Sequence, residues 1–296
     1  MNIQELKNIG IKKLKEQKIE DPIVKSEKLL EFIFNMNKIE LLINYNKVIN
    51  EEKEKCFFNY IDEIIKGKPV QYIIKNQEFM KLNFYVDDNV LIPQPDTEIL
   101  VENTIKILEK LEKSTRVQEK SNLEEKLTVL DLCTGSGAIG ISIKKYMKNA
   151  IVYVSDISSK ALEIAKINAK NNNVNINFIQ SDMFEKFNEM RNLKFDVIVS
   201  NPPYIETDNL ETLPKEVQAE PKLALDGGKD GLKYYRKIAD KGYMYLKDKG
   251  YILMEIGYNQ NISVPELFKN KNEYKNIEIF KDLSNIDRVI KIEKSW

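Results

Sequence analysis

Histidine is absent from this chain of 296 residues, and cysteine occurs only twice. Without histidine, no side chain has an ordinary pKa near 7, which excludes hydrolysis by a Ser-His or Cys-His pair and a His-ligated zinc site. Cys56 and Cys133 fall in what we interpret as different domains, so they predict no disulfide framework and fit a reducing cytoplasm. Cys133 has no histidine to activate it as a nucleophile, and we predict no metal site.

Long apolar runs and an excess of one charge are also missing. No run approaches the roughly 18 apolar residues that a membrane-spanning helix needs, and the amino-terminal stretch lacks the apolar core of a signal peptide. Basic and acidic residues number 46 each, and only four of the basic residues are arginines. Proteins that bind duplexes strongly usually show a basic excess and arginine contacts to guanine. The sequence therefore favours a cytoplasmic protein without a membrane partner and argues against nucleic acid as substrate.

The first quarter of the chain has apolar residues at helical spacing, and the length allows two domains. We predict a helical domain over residues 1–75, in which Gly67-Lys68-Pro69 stops the helical pattern of Ile61, Ile64 and Ile65. Packing alone is one interpretation of this bundle; its position before a cofactor domain favours a substrate-recognition module. Residues 76–94 are predicted as a β-hairpin linker with Asp87-Asp88-Asn89 as its turn, and residues 95–296 as the second domain.

A buried strand at residues 128–132 is followed by Cys133-Thr134-Gly135-Ser136-Gly137 and the start of a helix. Gly135 and Gly137 allow positive φ and a close approach of the backbone to a ligand. Asp156 ends the next strand, 19 residues beyond Gly137. An acid at that point can accept both hydroxyls of a ribose. Nicotinamide cofactors and S-adenosylmethionine both need this contact, so both fit the pattern.

A third strand at residues 177–180 leads to Asp182 and Met183. Asp182 can accept from an adenine amino group, and Met183 can cover the adenine ring. The structural alternative is a helix N-cap at Asp182 and a core methionine.

A fourth strand, residues 195–200, stops at Asn201-Pro202-Pro203-Tyr204. The prolines cannot continue a buried parallel strand, so they force a rigid loop at its carboxyl end, where open α/β sheets bind ligands. The loop offers an amide, free carbonyl oxygens and an aromatic face, a set that suits a planar group carrying an NH2. A strand that merely ends in a turn is the alternative. The order of the four loops, each after a successive strand, favours one site at one sheet edge.

The remaining segments complete an α/β pattern. We predict helices over 97–111 and 231–246, a strand over 251–255, and an antiparallel pair of late strands at 277–280 and 288–292. Residues 112–126 are dense in alternating charge and are predicted as a solvated helix extension or loop.

At this point the chain resembles the HemK/PrmC protein-(glutamine-N5) methyltransferases over most of its length. The resemblance is carried by three segments that are more specific than Asn-Pro-Pro-Tyr, which several kinds of amino-methylating enzymes share: Lys68-Pro69-Val70-Gln71-Tyr72-Ile73, Val90-Leu91-Ile92-Pro93-Gln94-Pro95-Asp96-Thr97-Glu98 and Glu220-Pro221-Lys222-Leu223-Ala224-Leu225-Asp226-Gly227-Gly228-Lys229-Asp230-Gly231-Leu232. There are two departures. Gln94 stands where the family usually has arginine, and Cys133 stands where glycine is common.

The resemblance implies a class I Rossmann-like, seven-stranded methyltransferase sheet with S-adenosylmethionine as cofactor. It implies that class-1 peptide chain release factors are the substrates, methylated at the glutamine of their Gly-Gly-Gln motif. The implied catalytic residues are Asn201, Pro202, Pro203 and Tyr204. The implied cofactor-binding residues are Cys133, Thr134, Gly135, Ser136, Gly137, Asp156, Asp182, Met183 and Asn201. An amino methyltransferase acting on a flipped nucleic-acid base and a non-catalytic nucleotide-binding module are the alternatives.

Overall fold

The computed structural model describes residues 1–118, 126–190 and 192–296. Within these ranges the chain divides into two compact units. The first comprises Met1–Asn76 and Leu213–Ala219, and the second comprises Gln77–Thr212 and Glu220–Trp296. Of the predicted charged stretch, residues 119–125 lie outside the described residues, whereas 112–118 end a helix. In the described ranges, no helix combines the length and apolar character needed to cross a bilayer.

The secondary structure alternates between helices and strands after an all-helical start. The helices are α1 (Ile3–Glu16), α2 (Pro22–Phe34), α3 (Lys38–Ile43), α4 (Glu51–Ile65), α5 (Val70–Ile74), α6 (Glu98–Gln118), α7 (Ala138–Tyr146), α8 (Ser159–Asn171), α9 (Lys215–Gln218), α10 (Lys222–Leu225), α11 (Lys233–Lys241) and α12 (Ser263–Lys269). The strands are β1 (Gln77–Phe79), β2 (Leu82–Phe84), β3 (Thr128–Leu132), β4 (Ile151–Asp156), β5 (Asn177–Gln180), β6 (Phe195–Ser200), β7 (Leu246–Glu255), β8 (Tyr274–Lys281) and β9 (Asp287–Lys294). Short 3₁₀ turns lie at Pro95–Thr97, Lys186–Glu189, Thr207–Thr212 and Gly242–Tyr245.

Seven strands form one sheet in the order β5-β4-β3-β6-β7-β9-β8. The five strands β3 to β7 run parallel, and β9 runs antiparallel to both of its neighbours. This confirms the predicted seven-stranded class I sheet with an antiparallel pair at one edge. The central strands are nearly continuous apolar runs because helices cover both faces of a parallel sheet. The carboxyl ends of β3, β4, β5 and β6 therefore meet at one edge.

Alternation along the strands sends side chains to two separate cores. On β3, Leu130 and Leu132 join the cluster that contains Tyr235 of α11 and Phe268 of α12. Val129 joins the opposite cluster, with residues of α6 and α7. Both clusters consist of fully buried apolar side chains, which fixes the strand register because a slip of one residue would exchange the two faces.

The hairpin forms, but its turn is not where the sequence pattern predicted it. β1 and β2 pair with Phe79 opposite Leu82, so the turn consists of Met80 and Lys81. Both turn residues have positive φ, as two-residue hairpin loops of this kind require. Neither is a typical residue for such a turn, so the sequence carries no local signal for it. Residues 87–89, the predicted turn, instead form a separate loop in which the Asp87 side chain accepts from Asn89.

The first unit is a small helical bundle with its own core. Helices α1, α2 and α4 surround the buried side chains of Leu6, Leu29 and Phe57. The segment 213–219 belongs to this unit, and Glu216 of α9 pairs with the buried Lys25 at 2.6 Å. No sequence pattern indicated that a segment so far along the chain packs with the amino-terminal helices.

Candidate active site

A cavity of about 320 Å³ lies at the carboxyl ends of the parallel strands. Its walls come from the loops after β3, β4, β5 and β6, from residues 88–91 and from the start of α11. Seven of the predicted site residues line it: Cys133, Gly135, Asp156, Asp182, Met183, Asn201 and Pro203. The remaining predicted residues, Thr134, Ser136, Gly137, Pro202 and Tyr204, lie outside this lining set.

Gly135 and Gly137, the two glycines of the loop, have different structural roles. Gly135 has a φ of 54°, and a Cβ at this position would meet no atom within 4 Å, so open space lies in front of its backbone. Gly137 has a φ of 83° and precedes α7, and a Cβ there would lie 3.0 Å from the Cβ of Ala165. Gly135 thus leaves room for a ligand, whereas Gly137 permits the start of α7 to pack closely against Ala165.

The buried side chain of Asp131 holds the glycine loop through two hydrogen bonds. The Oδ2 atom of Asp131 accepts from the Thr134 hydroxyl at 2.5 Å and from the backbone N–H of Gly140 at 3.0 Å. Burial raises the pKa of Asp131 to about 7. Thr134 therefore faces the protein interior and shapes the loop. Ser136 is buried, and its carbonyl accepts from the Asn168 amide at 2.9 Å.

Asp156 stands at the end of β4, as predicted, and backbone amides hold both of its oxygens. Oδ2 accepts from the N–H of Gly135 at 2.9 Å, and Oδ1 accepts from the N–H of Ser158 at 2.9 Å. Each carboxylate oxygen has a second lone pair, so each can still accept a hydroxyl from a ligand in the cavity. Burial raises the pKa of Asp156, and these two N–H donors act against that shift.

The loop after β5 brings an acid and a thioether to the cavity. The two carboxylate oxygens of Asp182 bind Nζ of Lys237 on α11 at 2.8 and 3.1 Å. Met183 is buried with a φ of 50°, and its sulfur lies 3.7 Å from the sulfur of Cys133. An adenine amino group at Asp182 would share that carboxylate with Lys237.

Asn201 and Tyr204 are tied to one buried carboxylate through side chains distant in sequence. Nδ2 of Asn201 donates to the Thr97 hydroxyl oxygen at 3.2 Å. The Thr97 hydroxyl donates to Oε2 of Glu255 at 2.5 Å, and the Tyr204 hydroxyl donates to Oε1 at 3.3 Å. Parallel pairing of Ser200 with Met254 places Asn201 beside Glu255, because each is the next residue on its strand.

Glu255 is almost fully buried, and burial raises its pKa to about 7. Hydrogen bonds from Thr97 and Tyr204 and the nearby Arg288 guanidinium favour the ionised form. Arg288 itself forms ion pairs with Asp96 at 3.2 Å and Asp282 at 3.1 Å. Burial also raises the pKa of the Tyr204 phenol, so Tyr204 stays protonated and acts as a donor.

Known proteins resemble the chain along nearly all of its length. The family model for the PrmC N-terminal domain matches residues 5–74, and that for the methyltransferase small domain matches residues 108–228. A release factor glutamine methyltransferase from Clostridium acetobutylicum is 40% identical over 280 residues, which cover 94% of this chain and 93% of that protein. Its counterpart from Fusobacterium nucleatum is 37% identical over 291 residues, covering 97% of this chain and 78% of that protein.

The chain belongs to the release factor glutamine methyltransferase family. The resemblance inferred from the sequence motifs is thereby confirmed. The crystal structure of a methyltransferase from Pyrococcus furiosus supports the fold alone: it has a TM-score of 0.50 and 17% identity, covering 80% of this chain and 98% of that chain.

The two departures from the family pattern have different structural consequences. Cys133 has a φ of 58°, a left-handed conformation that glycine adopts most easily. Glycine, which is common at this position in the family, is suited to this backbone conformation. Burial raises the pKa of the Cys133 thiol far above its ordinary value, so the group is a neutral wall of the cavity. The Gln94 amide donates to the carbonyl of Ile92 at 3.0 Å, a local loop contact.

Several residues of the site were not predicted. The sequence motifs contain Thr97 and Glu255 but predict no role for either residue, and Asp131 is predicted only as part of a strand. One signal was available: Glu255 and Asp131 are acids within apolar strand sequences, and a buried acid needs a partner. Cavity-lining residues after the Asn-Pro-Pro-Tyr loop, which carry no such signal, are Pro221, Leu223, Ala224, Lys233, Tyr234 and Lys237.

Proposed function

We propose that this chain transfers a methyl group from S-adenosylmethionine to the side-chain amide nitrogen of the glutamine in the Gly-Gly-Gln motif of class-1 release factors, and so modulates translation termination. The observation that carries the proposal is the Asn201 amide, which lines the cavity with its NH2 group already occupied by Thr97. The names of the family's other members support the choice of substrate.

The cavity fits S-adenosylmethionine at two points. Open space in front of Gly135 allows a ligand to approach the backbone, and the cavity-lining Asp156 has acceptor capacity for ribose hydroxyls. We assign the adenine to Asp182 and Met183, beside Cys133. When bound, S-adenosylmethionine would supply an electrophilic methyl group on a sulfonium, and loss of that S–CH3 bond would leave the neutral thioether S-adenosylhomocysteine. Thr134, Ser136 and Gly137 hold the loop in shape, which is an indirect part of the same binding role.

The Asn-Pro-Pro-Tyr loop binds the acceptor amide. A carboxamide nitrogen is a poor nucleophile because its lone pair is delocalised into the carbonyl. Oδ1 of Asn201 and the carbonyl of Pro202 each accept one N–H, which favours the positive charge that develops on nitrogen and orients its lone pair. Pro203 and Tyr204 enclose the flat face of the amide. No general base is required, because the methylated nitrogen is acidic and loses its proton to solvent.

Recognition of the protein substrate is assigned to the helical unit. Its helix α3 and the following loop expose four aliphatic side chains, Ile39, Leu42, Ile43 and Val48, of which Ile43 and Val48 are each 78% exposed. Exposed apolar side chains near one another on a surface are typical of protein-binding sites. We place the reaction in the cytoplasm, where its substrate takes part in translation.

A labelled-methyl transfer assay tests the proposal directly. Folded release factor, the same factor with its Gly-Gly-Gln glutamine replaced, duplex DNA and ribosomal RNA are offered in parallel. We expect label only in intact release factor. A nucleic-acid amino group can also enter an Asn-Pro-Pro-Tyr loop, but a flipped base needs many phosphate contacts. Label in DNA or RNA at a comparable rate, or label persisting in the glutamine-less factor, would overturn the proposal.

A further inference from the structure

The Asn201 side chain can perform its proposed role in only one of two orientations. An asparagine amide presents an acceptor oxygen on one side and a donor NH2 on the other. Only the oxygen can accept an N–H from the acceptor amide. A flip of the side chain would place two N–H groups against the N–H groups of the substrate. The rotation of this one amide therefore decides whether the site binds or repels the group that it methylates.

Thr97 determines which side of the Asn201 amide, the NH2 group or the oxygen, faces the Thr97 hydroxyl. Thr97 is 4% exposed, and its hydroxyl hydrogen is directed at Oε2 of Glu255, 2.5 Å away. When Glu255 is ionised its carboxylate can only accept, so the Thr97 hydroxyl must then donate to it. The lone pairs of the same hydroxyl oxygen then remain for a donor. Nδ2 of Asn201 occupies that position at 3.2 Å.

The opposite side of the amide is left for a ligand. Asn201 lines the cavity, and within the described part of the chain no hydrogen bond reaches its Oδ1. The second carboxylate oxygen of Glu255 accepts from Tyr204, so one carboxylate is connected to both polar members of the Asn-Pro-Pro-Tyr loop.

We propose that Thr97 and Glu255 are positioning residues that lock the Asn201 amide with its oxygen toward the methyl acceptor. Glu255 sets the direction of the Thr97 hydroxyl, and Thr97 sets the rotation of the amide. Thr97 and Glu255 are both buried and form the hydrogen bonds that reach Asn201 and Tyr204, so we assign them no direct contact with the cofactor or the acceptor. This inference rests on the proposed function for its kinetic consequence, but the orientation of Asn201 can be measured without any reaction.

The kinetic test compares Thr97→Val, which keeps the shape and removes the hydroxyl, with Thr97→Ser, which keeps the hydroxyl. Thr104→Val is the matched control, because Thr104 is equally buried and its hydroxyl donates only to the Leu100 carbonyl. We expect Thr97→Val to lower kcat ten- to a hundredfold with the Kd for S-adenosylmethionine within twofold, since misplacing a binding group costs rate. Thr97→Ser should recover most of kcat, and Thr104→Val should keep it.

A double-variant cycle tests the role of Glu255. Glu255→Met has a similar volume and offers the Thr97 hydroxyl no strong acceptor. Because both substitutions release the same amide, Glu255→Met combined with Thr97→Val should lose no more kcat than Glu255→Met alone. Losses that multiply would contradict a shared role. A kcat for Thr97→Val equal to that of Thr104→Val, or no recovery in Thr97→Ser, would also overturn the inference.

A spectroscopic measurement separates this inference from the proposed function. In the full chain labelled with ¹⁵N at asparagine, the side-chain NH2 signals of Asn201 are identified by their loss in Asn201→Ala. These signals should shift and exchange faster with water in Thr97→Val and stay near their original positions in Thr97→Ser. Unchanged signals in Thr97→Val would refute the lock. If the chain methylates no release factor but the signals behave as expected, the proposed function fails and the lock stands.

Discussion

Two loops that follow neighbouring strands of the sheet, the glycine loop after β3 and the Asn-Pro-Pro-Tyr loop after β6, are supported in similar ways over very different sequence distances. Each rests on a threonine hydroxyl that donates to a buried carboxylate at 2.5 Å. In the glycine loop, Thr134 and Asp131 are three residues apart. In the other loop, Thr97 and Glu255 are 158 residues apart.

The comparison shows how position in the chain affects what each loop can do. The support that Asp131 gives the glycine loop comes from its own strand and reaches only Thr134 and the start of the helix that follows, so this support forms with local structure. The Asn-Pro-Pro-Tyr loop is complete only when β7 and the segment before α6 have packed against it. The proposed cofactor site at the glycine loop and the proposed acceptor site at the Asn-Pro-Pro-Tyr loop are therefore expected to respond differently to substitution.

The largest expected effect is at the acceptor loop. Asn201→Ala should lower kcat about 10²- to 10³-fold, as removal of one preorganised polar group from an active site typically does. The Kd for S-adenosylmethionine should change little. Single-turnover methyl transfer and calorimetry measure the two quantities. Asn209→Ala, at an exposed asparagine of the same unit, is the control. Loss of cofactor binding with normal turnover at saturating cofactor would reverse the assignments of the two loops.

The buried acids of the two loops predict a pH-dependent stability. Burial raises the pKa of Glu255 from 4.5 to about 7. Between these values the unfolded chain has lost a proton that the folded chain retains, so stability falls as pH rises. The full difference corresponds to roughly 3 kcal/mol. Glu255→Gln removes this contribution. Urea unfolding should therefore show that the free energy of unfolding of the variant, relative to that of the parent, rises between pH 4.5 and 7.

Asp131→Asn should show the same trend, because burial also raises the pKa of Asp131, from 3.8 to about 7. The exposed surface variant Asp240→Asn serves as the control for both acids. A stability difference between parent and Glu255→Gln that is the same at pH 4.5 and pH 7 would mean that Glu255 titrates normally in the folded chain.

A smaller effect is expected at the donor site. Asp156→Ala should weaken binding of S-adenosylmethionine by about 1.5–3 kcal/mol, the usual contribution of hydrogen bonds to a charged group. Calorimetry on Asp156→Ala and on Asp240→Ala, which lies on α11 and pairs with Lys271 at the surface, gives the comparison. Affinity within about twofold of the parent would remove Asp156 from the ribose site.

The smallest expected effect lies in the helical unit. It tests whether docking of the release factor is a separate function from those of the two loops. Ile43→Ser should raise the KM for release factor about fivefold, since partial burial of one aliphatic side chain contributes about 1 kcal/mol. Its kcat and the Kd for S-adenosylmethionine should not change. Leu283→Ser, at a fully exposed leucine of the second unit, is the matched control. Equal KM values for the two variants would remove this surface from the docking site.

The strands of the sheet could be predicted because their signal is local. Apolar, β-branched runs followed by glycine, proline or an acid indicate buried parallel strands, and β3, β4 and β6 follow that pattern, whereas β5 is a short edge strand without a buried residue. The hairpin turn could not be placed, because Met80 and Lys81 adopt positive φ without the residues that usually mark such a turn. The packing of 213–219 with the first unit had no local signal either.

The sequence by itself determined the succession of strands along the chain, the glycine loop and the residues that follow each strand. Short-range backbone preferences and the pattern of apolar residues specify these features. The tertiary structure alone decided how those residues are held. Asn201 and Thr97 are 104 positions apart, and Tyr204 and Glu255 are 51 apart. Hydrogen bonds of this kind depend on strand register and on the burial of a charged group, which exist only after the sheet has formed and its helices have excluded water.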